Sequence, residues 1–250
     1  MFNQEKDIIV IDCGHAMNTA GKQTPLYADG SVIKEAEQNY RVGKYFDKAC
    51  KRCGFTTFIS HKNMEYEDPD PNKALNDRID KINLVSESKD IGFSFHKNAS
   101  NEYKWNNIRG TQAHIYQLGG EEERVSQIVL DTIIRRTGDI DRGLKDGSHL
   151  GIVAKTTPLM ILLELGFMTN KEDARDMRSE QACKLYAESV CEGLCLATGY
   201  MYQKELPECS EWAEEAQQWV YENGISDGTR PKDTVTREEV WTMLYRYNNL

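Results

Sequence analysis

The chain has no apolar run of about 18 residues, the length a helix needs to cross a bilayer, so insertion into a membrane is not expected. Its start, MFNQEKDIIVIDCGH, goes almost directly into a strand-like stretch, with no basic leader and no signal-type apolar segment. The expectation is a protein made in the cytoplasm without a signal peptide. Positive charge is also short, with 31 Lys and Arg against 40 Asp and Glu for a net charge of -9. That balance argues against a general nucleic-acid binder. Cysteine is present in an odd number, seven. Cys50 and Cys53 form a CxxC, but it falls inside a predicted helix and has no second pair at zinc-finger spacing. Small buried thiols in a reducing compartment are the expectation.

What is present is enough for a packed domain: 250 residues, 39% hydrophobic and 28% charged. Residues 7–12 read as a buried strand and 13–34 as a long loop. A helix is expected from Glu35 to Cys53, ended by Gly54. "FTTFIS" is a second strand, and 74–88 a helix with Leu75, Ile79, Ile82 and Val85 on one face. The strand "DIGFSFH", a loop over 98–110, the strand "TQAHIYQ", a helix over 121–137, the strand "LMILLEL" and a helix over 179–197 follow. This alternation predicts an α/β fold, a mostly parallel twisted sheet with helices on both faces, plus a small helical C-terminal module. The expected domains are 1–200 and 207–250, with a linker between them.

Histidine is scarce, five in all, and two of the five follow apolar runs of strand type: His15 closes "IIVIDCGH" and His96 lies in "IGFSFHKNA". Glu164 holds a comparable place in "LMILLELGF". The carboxyl ends of strands in an open α/β sheet line the crevice where ligands bind, so the three can converge. Zinc hydrolases commonly use three ligands drawn from His and carboxylates. The third ligand is expected near the start of the first helix, where Glu35 and Glu37 both qualify. Glu35 shares its face with Asn39, Val42 and Phe46, along the apolar stripe, whereas Glu37 shares its face with Arg41 and Lys44. Glu35 is therefore preferred. A carboxylate inside "ILLELGF" is costly without a task, and beside a His-His-Glu zinc site Glu164 reads as the general base and then the general acid.

"IVIDCGH", "EAEQN", "FSFHKNAS" and "LLELGFMTN" together resemble the zinc-dependent N-acetylmuramoyl-L-alanine amidases of bacterial autolysins and phage endolysins, over about residues 7–199. The resemblance implies one Zn2+ held by His15, Glu35 and His96, with Glu164 as catalytic carboxylate. It also implies substrate contacts at Asn98 and, in "DRGLK", at Arg142 and Gly143. Where the family reads "DAGHGG", this chain reads "DCGHAMNTAG", which sets Cys13 beside a ligand; two residues before His15, its side chain is expected to point inward. The implied activity is hydrolysis of the amide between N-acetylmuramic acid and L-alanine in peptidoglycan by zinc-activated water. An endolysin reaching the wall through a holin-type pore or after lysis is the expected setting. The alternatives are a zinc peptidase cutting the stem peptide and an inactive wall-binding protein.

Residues 210–250 read as helix, turn, helix. Ser210 is expected to cap the first helix, with Trp212, Ala216, Trp219 and Val220 on one face, and Thr236 with Glu239 forms a capping box before the second. The segment resembles a single shortened S-layer homology repeat, a type that implies binding to secondary cell-wall polymers. From Pro207 onward it carries nine acidic and four basic residues, a net of -5, which disfavours nonspecific adhesion to anionic polymers. Too short for a robust core of its own, the module is expected to hide Trp212, Trp219 and Trp241 by docking or as a homo-oligomer.

Overall fold

In the computed structural model, which describes residues 2–61 and 67–250, the chain forms two compact units, Met1–Gln203 and Lys204–Leu250. The first is a six-stranded sheet in the order β2-β1-β3-β6-β4-β5. Its strands are β1 (Ile8–Cys13), β2 (Thr56–Ile59), β3 (Ile91–Asn98), β4 (Thr111–Ile115), β5 (Asp141–Asp146) and β6 (Leu159–Phe167). Every pairing is parallel except β4 with β6, which is antiparallel. The α/β class, the mostly parallel sheet and the helices on both faces all follow the sequence pattern.

One face of the sheet packs against α1 (Glu35–Arg52), α3 (Gly120–Thr137) and α6 (Glu180–Thr198) through a core that includes Ile9, Ile11, Phe46, Phe93, Phe95, Val129 and Leu194. Each such large apolar side chain contributes roughly 1.5–3 kcal/mol on full burial. The other face meets α2 (Pro71–Val85) and α4 (Gly151–Ala154) through Val10, Ile79, Ile82, Ile152 and Met160. The alternation of β1 accounts for this division, since Ile9 and Ile11 point to one layer and Val10 to the other.

Local chemistry sets the helix limits. α1 ends where Gly54 takes a φ of +85°, a left-handed conformation glycine adopts without steric cost. α2 begins three residues before the expected position. Asp70 accepts a hydrogen bond from Asn72 N and Pro71 fills the first helical position, so cap and proline start the helix ahead of its apolar face. The expected tail of that helix, 86–88, is absent because Ser86 turns to extended backbone. β5, α4 and α5 (Lys171–Asp176) are additions to the sequence reading.

The strands of the central trio run further than their apolar runs suggest. His96 and Glu164 lie inside β3 and β6, not at their ends, because pairing continues past an irregularity to Asn98 and Phe167. Since β4 runs against β6, the segment 99–110 leaves β3 and enters β4 at the same end of the strands. It is braced there. Trp105 Nε1 donates to Leu26 O at 2.8 Å, Asn106 N to Thr169 O at 3.0 Å, and the Tyr103 hydroxyl bonds to Gln23 O.

The second unit holds a 3-10 turn (Glu211–Ala213), α7 (Glu214–Glu222) and α8 (Arg237–Tyr247). The Thr236–Glu239 capping box forms as expected, but Ser210 makes no side-chain cap bond. The 3-10 turn takes the place of the first helical turn, so Trp212 stands outside α7, 88% exposed. Trp219 instead stacks edge-on with Tyr247, their centroids 6.0 Å apart.

Candidate metal and catalytic site

Three adjacent parallel strands, β1, β3 and β6, and the first turn of α1 bring together His15, Glu35, His96 and Glu164. β1 stops at Cys13, whose side chain is buried in the core with Val42 and Phe46 of α1, so it points inward as expected. Gly14 then donates its N–H to Phe95 O at 3.0 Å. A Cβ at this position would overlap the His96 ring, so the close approach of backbone to imidazole requires glycine. His15 follows with a φ of +66°, a left-handed conformation that costs a non-glycine residue roughly 1–3 kcal/mol. Such strain is held where the surroundings over-determine it.

Glu35 opens α1 and is almost completely buried. Its Oε1 accepts hydrogen bonds from Lys97 N at 3.0 Å and Asn39 Nδ2 at 3.2 Å, and lies 3.1 Å from His96 Nδ1. Its Oε2 faces His15 Nε2 at 3.6 Å, too far for a hydrogen bond. Asn39 also donates to Gly14 O at 2.8 Å. One amide thus ties the carboxylate of α1 to the turn that presents His15. Glu37 goes the other way: it accepts from Lys34 N in the helix cap and pairs with Arg41 and Arg178.

The two imidazoles stand nearly perpendicular, at 85° with centroids 4.8 Å apart. One donor atom from each of His15, Glu35 and His96 lies within 4.8 Å of the others. Burial pushes His15 down to about 3, which keeps its ring neutral at pH 7. Burial also acts on Glu35, in the raising direction, but the adjoining imidazoles outweigh it and hold the carboxyl at about 2, ionised. His15 Nε2 and Glu35 Oε2 are buried without a hydrogen-bond partner. Buried polar atoms rarely stay so, and two imidazoles with a carboxylate form a donor set that zinc accepts. The residues fit a single zinc ion.

Glu164 sits beside this group as the register partner of His96 on β6. Burial, reinforced by the negative charge of Glu35, raises its pKa to about 7, against the opposing pull of His96. Its Oε2 is also buried and unbonded. A carboxyl poised near neutrality next to a metal-type donor set is suited to moving protons.

The other sequence-selected residues lie apart from this core. Arg142, on the edge strand β5, donates from Nε to Gln112 Oε1 at 3.2 Å and covers the Phe167 ring at 4.9 Å. Gln112 pairs in register with Glu164, so Arg142 flanks the Glu164 carboxyl at one remove. Gly143 makes a local turn bond, from its N–H to Asp141 Oδ1 at 2.7 Å. Asn98 is half-buried, and its side-chain oxygen accepts from Ala99 N. Asn39, which the sequence sets at i, i+4 from Glu35 on the same face, has its orienting role shown by the structure. One contributor escaped the sequence reading. Asp12, fully buried, accepts from Ser60 and Ser94 at 2.7 Å each and pairs with Arg78, which fixes β1 against β3 just below His15 and His96.

The family profile described as N-acetylmuramoyl-L-alanine amidase matches residues 9–195. Among curated relatives, a 38.4 kDa protein of Clostridium perfringens is 27% identical over 56% of this chain and 40% of its own length. A cell wall amidase of Bacillus anthracis is 26% identical over 76% of this chain and 35% of its own length. The chain therefore spans less than half of each of these two relatives. Among solved structures, the N-acetylmuramoyl-L-alanine amidase from Clostridium difficile 630 shares the fold with a TM-score of 0.64, at 21% identity, over 77% of this chain and 97% of that one.

Proposed function

This chain belongs to the N-acetylmuramoyl-L-alanine amidase family, and from that premise we propose that it hydrolyses peptidoglycan at the amide between the lactyl group of N-acetylmuramic acid and L-alanine. His15, Glu35 and His96 would hold one zinc ion. When bound, such an ion supplies a Lewis acid that polarises a carbonyl and lowers the pKa of water. Glu164 takes a proton from the attacking water and hands it to the departing alanine nitrogen. The observation that carries this reading is the Glu164 carboxyl itself, in register with His96, buried, unbonded at one oxygen and poised near 7. Arg142, held by Gln112 beside Glu164, would meet the charged stem peptide, with Asn98 and Gly143 as further substrate contacts.

Mass spectrometry of digested muropeptides tests the reaction. New N-terminal L-alanine is expected with the wild type and none with Glu164→Ala. New termini deeper in the stem would replace this reading with that of a zinc peptidase.

Two finer readings accompany it. Deployment as a phage or prophage endolysin predicts lysis when the enzyme is co-expressed with a holin-type pore and none when it is expressed alone. The 207–250 segment, with its capped helix-turn-helix, is read as an S-layer-homology-like module for a secondary wall polymer or for self-association. Pull-down on purified walls with and without that polymer tests the first role.

A further inference from the structure

Four of the seven cysteines meet between α1 and α6. Cys50 and Cys53 stand three apart at the end of α1, and Cys191 and Cys195 four apart on α6, spacings that put each pair on one helix face. The sulfurs of Cys53, Cys191 and Cys195 all lie within 4.8 Å of one another, with 3.7 Å between Cys191 and Cys53. The Cys50 thiol stands outside this trio but next to Cys191, and all four side chains are buried. The CxxC lacks a second pair at zinc-finger spacing, but packing of α1 on α6 supplies one from 138 residues away.

We propose that Cys50, Cys53, Cys191 and Cys195 form a second metal centre, a four-thiolate site for one zinc-type ion that pins the end of α1 to α6. Four sulfurs arranged tetrahedrally at the zinc–thiolate bond length stand about 3.8 Å apart, and the Cys191–Cys53 separation is 3.7 Å. Soft thiolates select zinc over the hard cations. Cys53 Sγ also accepts the Gln203 N–H at 3.3 Å, the kind of outer contact that orients a ligating sulfur. Ordinary packing of small thiols accounts for an isolated buried cysteine such as Cys183. It gives no reason for two helices to aim three sulfurs at one point with a fourth beside them. The clamp closes the same helix whose first residue is Glu35, about 27 Å away along its axis. The inference does not depend on the hydrolase reading.

Native mass spectrometry of the full chain, purified reduced and without chelator, tests it. Two zinc ions per chain are expected in the wild type. The His15→Ala, His96→Ala variant should keep one, and adding Cys191→Ser and Cys195→Ser should remove it. Should the cysteine variant fail to fold, cobalt loading of the histidine variant decides the matter: intense near-ultraviolet thiolate-to-cobalt bands are expected. Zinc lost completely with the histidines, an absence of those bands, or an oxidised pair among these cysteines overturns the second centre. Zinc retained only through the cysteines would leave it standing and remove the first.

Discussion

His96 and Glu164 are register partners on β3 and β6, so their side chains leave the sheet on the same face, side by side. On the far side of Glu164 the next partner is Gln112 of β4, which holds Arg142. The row from His96 to Glu164 to the Arg142 guanidinium is thus laid out by strand pairing.

As a general base Glu164 works only when ionised. Burial raises its pKa to about 7 in the metal-free protein and a bound cation would lower that value, so muropeptide release is expected to increase with pH over a range below about 7. Glu164→Gln should lower kcat by roughly 10²–10⁴ while leaving zinc bound. A variant that keeps wild-type rates rules out this role.

The same shift has a stability consequence in the metal-free protein. A carboxyl raised from 4.5 to about 7 on folding binds more protons folded than unfolded between those values. Its contribution to stability is complete below about 4.5 and disappears as pH rises through about 7. Denaturant titrations in chelator should show that loss, and Glu164→Gln should flatten it. An unchanged slope in the variant would assign the pH dependence to another group.

Gly14→Ala sets a methyl group against the His96 ring. Overpacking of this kind costs about 1–3 kcal/mol, and the ring must move away from Glu35. Lower thermal stability and weaker zinc binding are expected together, read by calorimetry with and without the metal. Intact zinc affinity would mean that the ring relaxes without leaving its place.

Asn39→Ala frees both the Glu35 carboxylate and the Gly14 carbonyl. Loss of an orienting partner of this type typically weakens metal binding 10–100-fold. Competition with a chromogenic chelator should register that drop, with circular dichroism unchanged. If affinity holds, Lys97 N alone suffices to orient Glu35.

For the second unit, light scattering compares the full chain with residues 1–203. Trp212 and Trp241 are exposed at 88% and 62%, and self-association through them predicts a dimer or larger species only for the full chain. Two monomers would leave docking on another surface as their cover.

His15, His96 and Glu164 were legible because each interrupts or follows an apolar run where a polar group has a cost. Glu35 could be told from Glu37 by helix face, and the structure sends Glu37 to the cap and to arginines. β5 was not legible: DRGLKD is an edge strand without buried alternation, so the period-two signal is missing. The reversed direction of β4 leaves no trace in hydrophobic pattern either. The meeting of Cys50 and Cys53 with Cys191 and Cys195 depends on helix packing across most of the chain, which local spacing does not encode.

The reversal of β4 has a consequence for how this scaffold can vary. Because the segment 99–110 has both feet at one end of the strands, its length can change without shifting the strands that carry His96 and Glu164. Trp105 to Leu26 and Asn106 to Thr169 brace its middle, and Arg109 and Gly110 anchor its end to Glu172 and Asp173 of α5. The stretch before Arg109 is therefore the part free to vary beside the site. Discrimination among wall types could diverge there while the reaction stays the same.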